Sequence, residues 1–258
     1  MLKEARTGKG RSGLQTAAAN PPPQPPAPQP PQSADATKDL NELAQYMATK
    51  GVNLDVASLS GLTFENVREA ARGMERIIDE FPQAKTLVGG MSLKGVRTSN
   101  GVLAQAGFYG NVEVSDHYYA KSEAQLGQTY DRNTKSGFHP AGTTKADIAT
   151  HEMGHVLDSA LIRKAIPGNS YWDRVGRANA WRKSTISGKV ISEACKIAKK
   201  TPAGKGMKNA QLISGVSQYA TRNRAETLAE CVADYAANGA NAKPLSVAVW
   251  SILKRELG

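Results

Sequence analysis

The stretch His151-Glu152-Met153-Gly154-His155 decides the reading of this chain. On an α-helix, residues four apart lie one above the other on a single face. Two imidazoles placed in this way can share one metal ion, and Glu152, one residue on, stands close to any water that ion holds. The surroundings suit a helix. Thr144 and Asp147 have the spacing of a capping box. Only Gly154 interrupts the run to Ile166, and Pro167-Gly168 closes it. The pattern predicts a helix over about 145–165, with Ile148, Val156, Leu157 and Leu161 on its apolar side. The chain has only 4 histidines, so two of them in one such motif argue against coincidence.

A catalytic zinc site takes three protein ligands and leaves a fourth position to water. No histidine follows His155, so the third ligand has to be a carboxylate. The segment from Asn223 to Tyr235 predicts a second helix, with Leu228, Val232 and Tyr235 apolar and Glu226 and Glu230 four apart. Asn223 or Thr221 can cap it. One of the two glutamates can take the metal, and the other can hold a ligand histidine through its free ring N–H. Asp158, three residues after His155, can do the same. Ala225, Ala229 and Ala233 are small enough to let two helices approach closely.

Tyr219 lies seven residues before Glu226. Together, His151 to Asp158, Tyr219 and the stretch Glu226 to Asp234 resemble the gluzincin family of anthrax lethal factor and the Pro-Pro endopeptidases. They resemble more closely the metallopeptidase-like domains of phage minor head proteins, to which the stretch from Asp234 to Ser246 is similar in particular. The resemblance spans about residues 86–256. It implies an α+β, zincin-like fold, with helices packed on a small twisted sheet and a zinc site between two helices. It implies His151, His155 and Glu226 as ligands of Zn2+ and Tyr219 facing the metal, with Glu230 and Asp158 left to support the ligands. In such a site Glu152 is the general base that takes a proton from water and passes it to the leaving amine. The Tyr219 hydroxyl then helps to stabilise the oxyanion. The expectation is a zinc-dependent endopeptidase in a phage setting. A structural or assembly domain of a phage head protein, with zinc as a staple, is the competing class. The intact Glu152 favours the enzyme, because a purely structural site has no use for a base.

A substrate surface is suggested by Gly101 to Val114, which reads as one or two strands with a bend at 107–110. Its edge is available to an extended peptide if it is not an internal hairpin. His117 and His139 have no ligand spacing to the zinc motif and read as structural or surface residues.

The rest of the chain is organised unevenly. Of its 13 prolines, 8 fall within 21–31, so residues 1–36 read as a disordered basic and proline-rich tail. Residues 37–85 read as an N-terminal helical segment, with helices over Asp39 to Thr49 and Thr63 to Glu80. Residues 86–258 read as the zincin-like domain: strands over 86–114, a polar loop over about 120–143, then the zinc helix. Tyr171, Trp172 and Trp181 have helical spacing suited to core packing. The net charge is +10, and residues 182–208 carry Arg182 and seven lysines against Glu193 alone. Lys196 to Lys208 reads as a mobile basic loop near the cleft, able to favour acidic substrates or touch nucleic-acid phosphates weakly and without sequence preference. A virion protein led by that loop and contacting DNA is a third reading. It lacks interleaved aromatics. Cys195 and Cys231 give no disulfide framework, and Cys231 reads as a small core residue. No apolar run approaches the ~20 residues needed to span a bilayer, and no secretory signal is read. The expected partners are a peptide or protein substrate and phage capsid or scaffold proteins. The expected location is the cytoplasm of an infected host or the virion.

Overall fold

The computed structural model describes residues 31–99 and 101–258. The tail expected over 1–36 lies outside the described residues as far as residue 30. Among the described residues, the first buried one is Ala34, in a short 3-10 turn, Ala34–Ala36.

The order of elements is α1 (Leu40–Thr49), β1 (Val52–Leu54), α2 (Val56–Leu59), α3 (Phe64–Glu80), α4 (Pro82–Val88), β2 (Met91–Val96), β3 (Ala104–Ala106) and β4 (Asn111–Ser115). There follow α5 (Asp116–Tyr119), α6 (Glu123–Lys135), α7 (Asp147–Ala165), α8 (Tyr171–Arg182), α9 (Thr185–Ala198), α10 (Asn209–Ser214), α11 (Arg224–Asn238) and α12 (Pro244–Leu257). The class is α+β: helices around a mixed four-stranded sheet of order β1-β2-β4-β3. The first three strands in space run parallel, and β3 runs antiparallel to β4, with Gln105 opposite Glu113. The bend expected at 107–110 is the turn of this hairpin, where Gly110 adopts φ +83°. No described helix is long and apolar enough to cross a membrane.

α7 is the axis of the molecule. It is buried on nearly every side because α3, α4, α11 and β3 all pack against it. The helix begins two residues later than the capping pattern suggests. Asp147 accepts from the Thr144 N–H at 2.9 Å, but the cap position falls to Ala146, which offers no side-chain acceptor. Only the backward half of the capping box therefore forms. Asp147 also pairs with Arg76 of α3 at 3.1 Å. α3 comes so close there that a Cβ at Gly73 would stand 2.6 Å from the Ala146 carbonyl oxygen.

Several expectations are corrected. The segment 37–85 contains β1, which is too short to show alternation. It joins the sheet through β2. The polar loop expected over 120–143 contains α6. Ser122 and Gln125 form a reciprocal capping box, and Leu126 and Tyr130, one turn apart, bury the helix on the core. The basic region 182–208 is half helix: α9 carries it as far as Ala198 and buries Ile191, Ala194 and Cys195, and only the turns over 199–208 match the expected loop. The chain beyond it is pinned by Thr201, whose hydroxyl donates to the Ala198 carbonyl at 2.7 Å and accepts from the Gly204 N–H at 3.1 Å. Tyr171 and Trp172 do not pack in the core: Trp172 is 76 % exposed. They occupy the first turn of α8, whose buried side is set instead by Arg177 and Ala180. Both cysteines are free and buried, Cys231 in the core as expected.

Candidate metal centre

α7 and α11 form the most extensive helix pair of the molecule. They touch where Gly154 faces Ala229: a Cβ at Gly154 would stand 2.6 Å from the Ala229 Cα. Ala229 and Ala233 are buried in this contact, as small residues between two helices should be. Asn223 starts α11 by accepting from the Glu226 N–H at 3.0 Å, and Thr227 ties that turn to the Ala220 carbonyl at 2.7 Å. The cap thus fixes the backbone from which Glu226 projects.

The result is a convergence of side chains from both helices. Glu226 Oε2 lies 3.2 Å from His151 Nε2 and 3.3 Å from His155 Nε2. One ligand atom from each of the three residues can be chosen so that all lie within 4.8 Å of one another. Glu226 Oε2 is buried, yet neither imidazole aims a hydrogen bond at it. Tetrahedral zinc with bonds of ~2.0–2.2 Å sets neighbouring donor atoms ~3.3–3.5 Å apart. The two nitrogen–oxygen distances are close to such an edge, and the unsatisfied oxygen is the atom such an ion would satisfy.

Behind the ligands stands Glu230, fully buried. Its Oε1 is 2.8 Å from His151 Nδ1 and 3.0 Å from His139 Nδ1, and its Oε2 accepts from the Ser217 hydroxyl at 2.7 Å. Glu230 therefore stands against His151 on the ring nitrogen remote from the ligand position, in ion-pair contact but without an aligned hydrogen bond. The structure also brings His139 to the site, correcting its reading as a residue apart from the centre. It reaches there because Gln218 and Tyr219 donate backbone N–H groups to the carbonyls of Gly137 and Phe138, clamping the two segments together. The His139 ring stacks on Tyr130 at 5.0 Å. No local spacing announces this contact, which spans 91 residues of sequence. His117 is exposed and has no part in the site.

Tyr219 lies in a 3-10 turn, its ring 5.7 Å from that of His151 and its hydroxyl 3.5 Å from Glu226 Oε1. Arg222 sits over the ring at 5.0 Å. Asp158 is buried on α7, but it makes no hydrogen bond to His155, and neither oxygen has an aligned donor. Burial pushes its carboxyl up to about 6, against the pull of the nearby His155 and Ser187.

The charges are strongly coupled. Burial alone would raise the carboxyls of Glu226 and Glu230, but adjacent imidazoles hold both well below the usual range. Burial opposes the charge on His151, yet Glu226 and Glu230 keep its pKa well above the ordinary value. Glu152 is raised, first by burial and then by the two neighbouring glutamates, with the imidazoles opposing.

Two openings reach this centre. A cleft of about 410 Å³ is lined by His151, Glu152, His155, Tyr219 and Glu226 on one side and by Ala104–Ala106 on the other. β3 is the outer strand of the sheet, so it presents an edge to this cleft. Ser159 of α7 anchors the hairpin by donating to the Phe108 carbonyl. A smaller pocket of about 170 Å³, lined by Leu103, Tyr130, Phe138 and Ile148, adjoins Glu152 and His151. Trp181, expected in the core, instead lines the larger cleft, its ring 6.4 Å from that of His155. Comparison of the chain with protein families, with curated proteins and with solved structures finds no match.

Proposed function

We propose that this chain is a zinc-dependent endopeptidase. The observation that carries the reading is the meeting of His151, His155 and Glu226 donor atoms within 4.8 Å of one another, with Glu152 lining the same cleft. His151, His155 and Glu226 would hold the ion, and Glu230 would fix the orientation of the His151 ring. When bound, the ion supplies Lewis acidity, polarising a carbonyl and lowering the pKa of water towards ~7.

The remaining roles belong to the chain. The buried carboxyl of Glu152 takes a proton from the attacking water and delivers it to the departing amine. The Tyr219 hydroxyl, on the rim of the same cleft, donates to the oxygen on which negative charge develops. The β3 edge offers backbone N–H and C=O groups to an extended peptide, whose scissile bond would then lie between that strand and the two helices. The pocket beside Glu152 is walled by aromatic and aliphatic groups and takes an apolar side chain next to the bond. The similarity of the Asp234–Ser246 stretch to phage head proteins gives the setting we favour.

Glu152→Gln tests the reading. The variant should bind zinc like the wild type and lose peptide cleavage by at least about 10²-fold. If both proteins bind zinc and neither cleaves a diverse peptide library, the centre is a structural staple and the enzymatic reading fails.

A further inference from the structure

Beside the metal cleft lies a second, larger cavity of about 800 Å³. The two share Arg182, Ser184 and Asn223 in their walls, so they adjoin. We propose that this cavity is a subsite for an acidic side chain of the peptide substrate, held by Arg182, Lys183 and Arg224. The proposal rests on the peptidase reading of the adjoining cleft.

Charge is the first argument. Three cationic side chains line the cavity, and no Asp or Glu does. Among the described residues, none of the three stands within ion-pairing distance of a carboxylate. Some cations outside it are neutralised, as Arg76 is by Asp147 and Arg255 by Glu193; here three unpaired ones face a single concavity. The cavity wall therefore carries positive charge that no carboxylate of the wall balances. Like charges around one concavity repel, and an entering anion relieves that repulsion. Either guanidinium can grip a carboxylate through two parallel hydrogen bonds.

The backbone adds to the same field. α9 and α11 begin at Thr185 and Arg224, beside Ser184 and Asn223 in the cavity wall. Both helices are long, 14 and 15 residues, and turn their positive ends towards this region. Ser184 offers no side-chain acceptor to the first turn of α9. A nucleic-acid phosphate shares this chemistry, but no aromatic side chain lines the cavity for base stacking. Its place beside the proposed peptide cleft favours a carboxylate.

The test uses the full chain carrying Glu152→Gln, so that peptides bind without being cut. Fluorescent peptide pools, with Glu, Gln or Lys fixed at one position and the others randomised, are titrated by anisotropy. At one position the Glu pool should bind about tenfold tighter than the Gln pool, and the Lys pool should bind weakest. Arg182→Gln combined with Lys183→Gln, and separately Arg224→Gln, should abolish the difference. All of these residues are exposed, and thermal melting confirms that the variants fold. Equal binding of Glu and Gln pools at every position overturns the proposal. A Glu preference that survives neutralisation does so too, as does duplex DNA displacing the Glu pool from this cavity at physiological salt. The same pools offered to the wild type separate the two readings. Cleavage with no Glu preference removes the subsite and leaves the peptidase. A Glu preference that depends on the three cations, without cleavage, leaves an anion-binding cavity and removes the peptidase.

Discussion

Gly154→Ala probes the contact on which the centre is built. A Cβ there would stand 2.6 Å from the Ala229 Cα and 3.1 Å from its Cβ, where carbon atoms settle at about 3.5–4.0 Å. The nearer obstacle is backbone, so no rotamer change relieves it, and α7 and α11 must separate by roughly 1 Å. Glu226 belongs to the same helix as Ala229. The shift would carry its Oε2 from 3.2–3.3 Å to about 4 Å from the two imidazoles, beyond the ~3.3–3.5 Å edge of a zinc tetrahedron. Overpacking costs about 1–3 kcal/mol, and the better helix propensity of alanine returns up to about 1 kcal/mol. We expect a net loss of about 1–2 kcal/mol in urea unfolding of the metal-free protein. We also expect zinc affinity to fall by at least about tenfold in titration against a competing chelator. Adding Ala229→Gly removes only the milder Cβ contact and should rescue little. If Gly154→Ala proves as stable as the wild type and binds zinc equally, the helix contact does not set the ligand geometry, and the reasoning fails.

Tyr219→Phe should lower kcat by about 10²-fold or more with little change in zinc content; an unchanged kcat would remove Tyr219 from the chemistry. Glu230→Gln disturbs the contacts to His139, His151 and Ser217 together, so zinc affinity should drop about 10–100-fold, as read by metal titration. Asp158→Asn should stabilise the metal-free protein. The buried acid, raised to about 6, gives up stability as pH climbs from its unfolded value of about 3.9 through 6. The gain should reach no more than about 3 kcal/mol above pH 6 and vanish below pH ~4, which denaturant melts across that range would show.

The parts of this structure legible in the sequence are those where chemistry and periodicity act over one or two turns. The His151–His155 pair, the Glu226–Glu230 pair, the boundaries of α1 and α3, and the Gly-bearing hairpin turn are all set by neighbours close in the chain. What escaped depends on distant contacts. His139 becomes part of the centre only because the 136–139 turn is clamped to 217–219. β1 has three residues and exists through its pairing with β2. α6 hides its helical nature behind polar residues, with only Leu126 and Tyr130 facing inward. The aromatic spacing in α8 suggested burial, yet that spacing cannot say which side of a helix the rest of the protein covers. Arg177 holds that helix by donating to the Ile166 carbonyl at 2.9 Å, leaving Trp172 to solvent and Trp181 to the cleft.

The tight seam between Gly154 and Ala229 has a consequence for how the ion would be acquired. Its jaws are set by the hydrophobic interior before any cation arrives, so loading would require no refolding and little rearrangement. The same donors would be presented to any divalent ion, and a bound one should leave slowly. Selection among them would fall to donor identity and ionic radius, making a cobalt-substituted protein a practical spectroscopic surrogate.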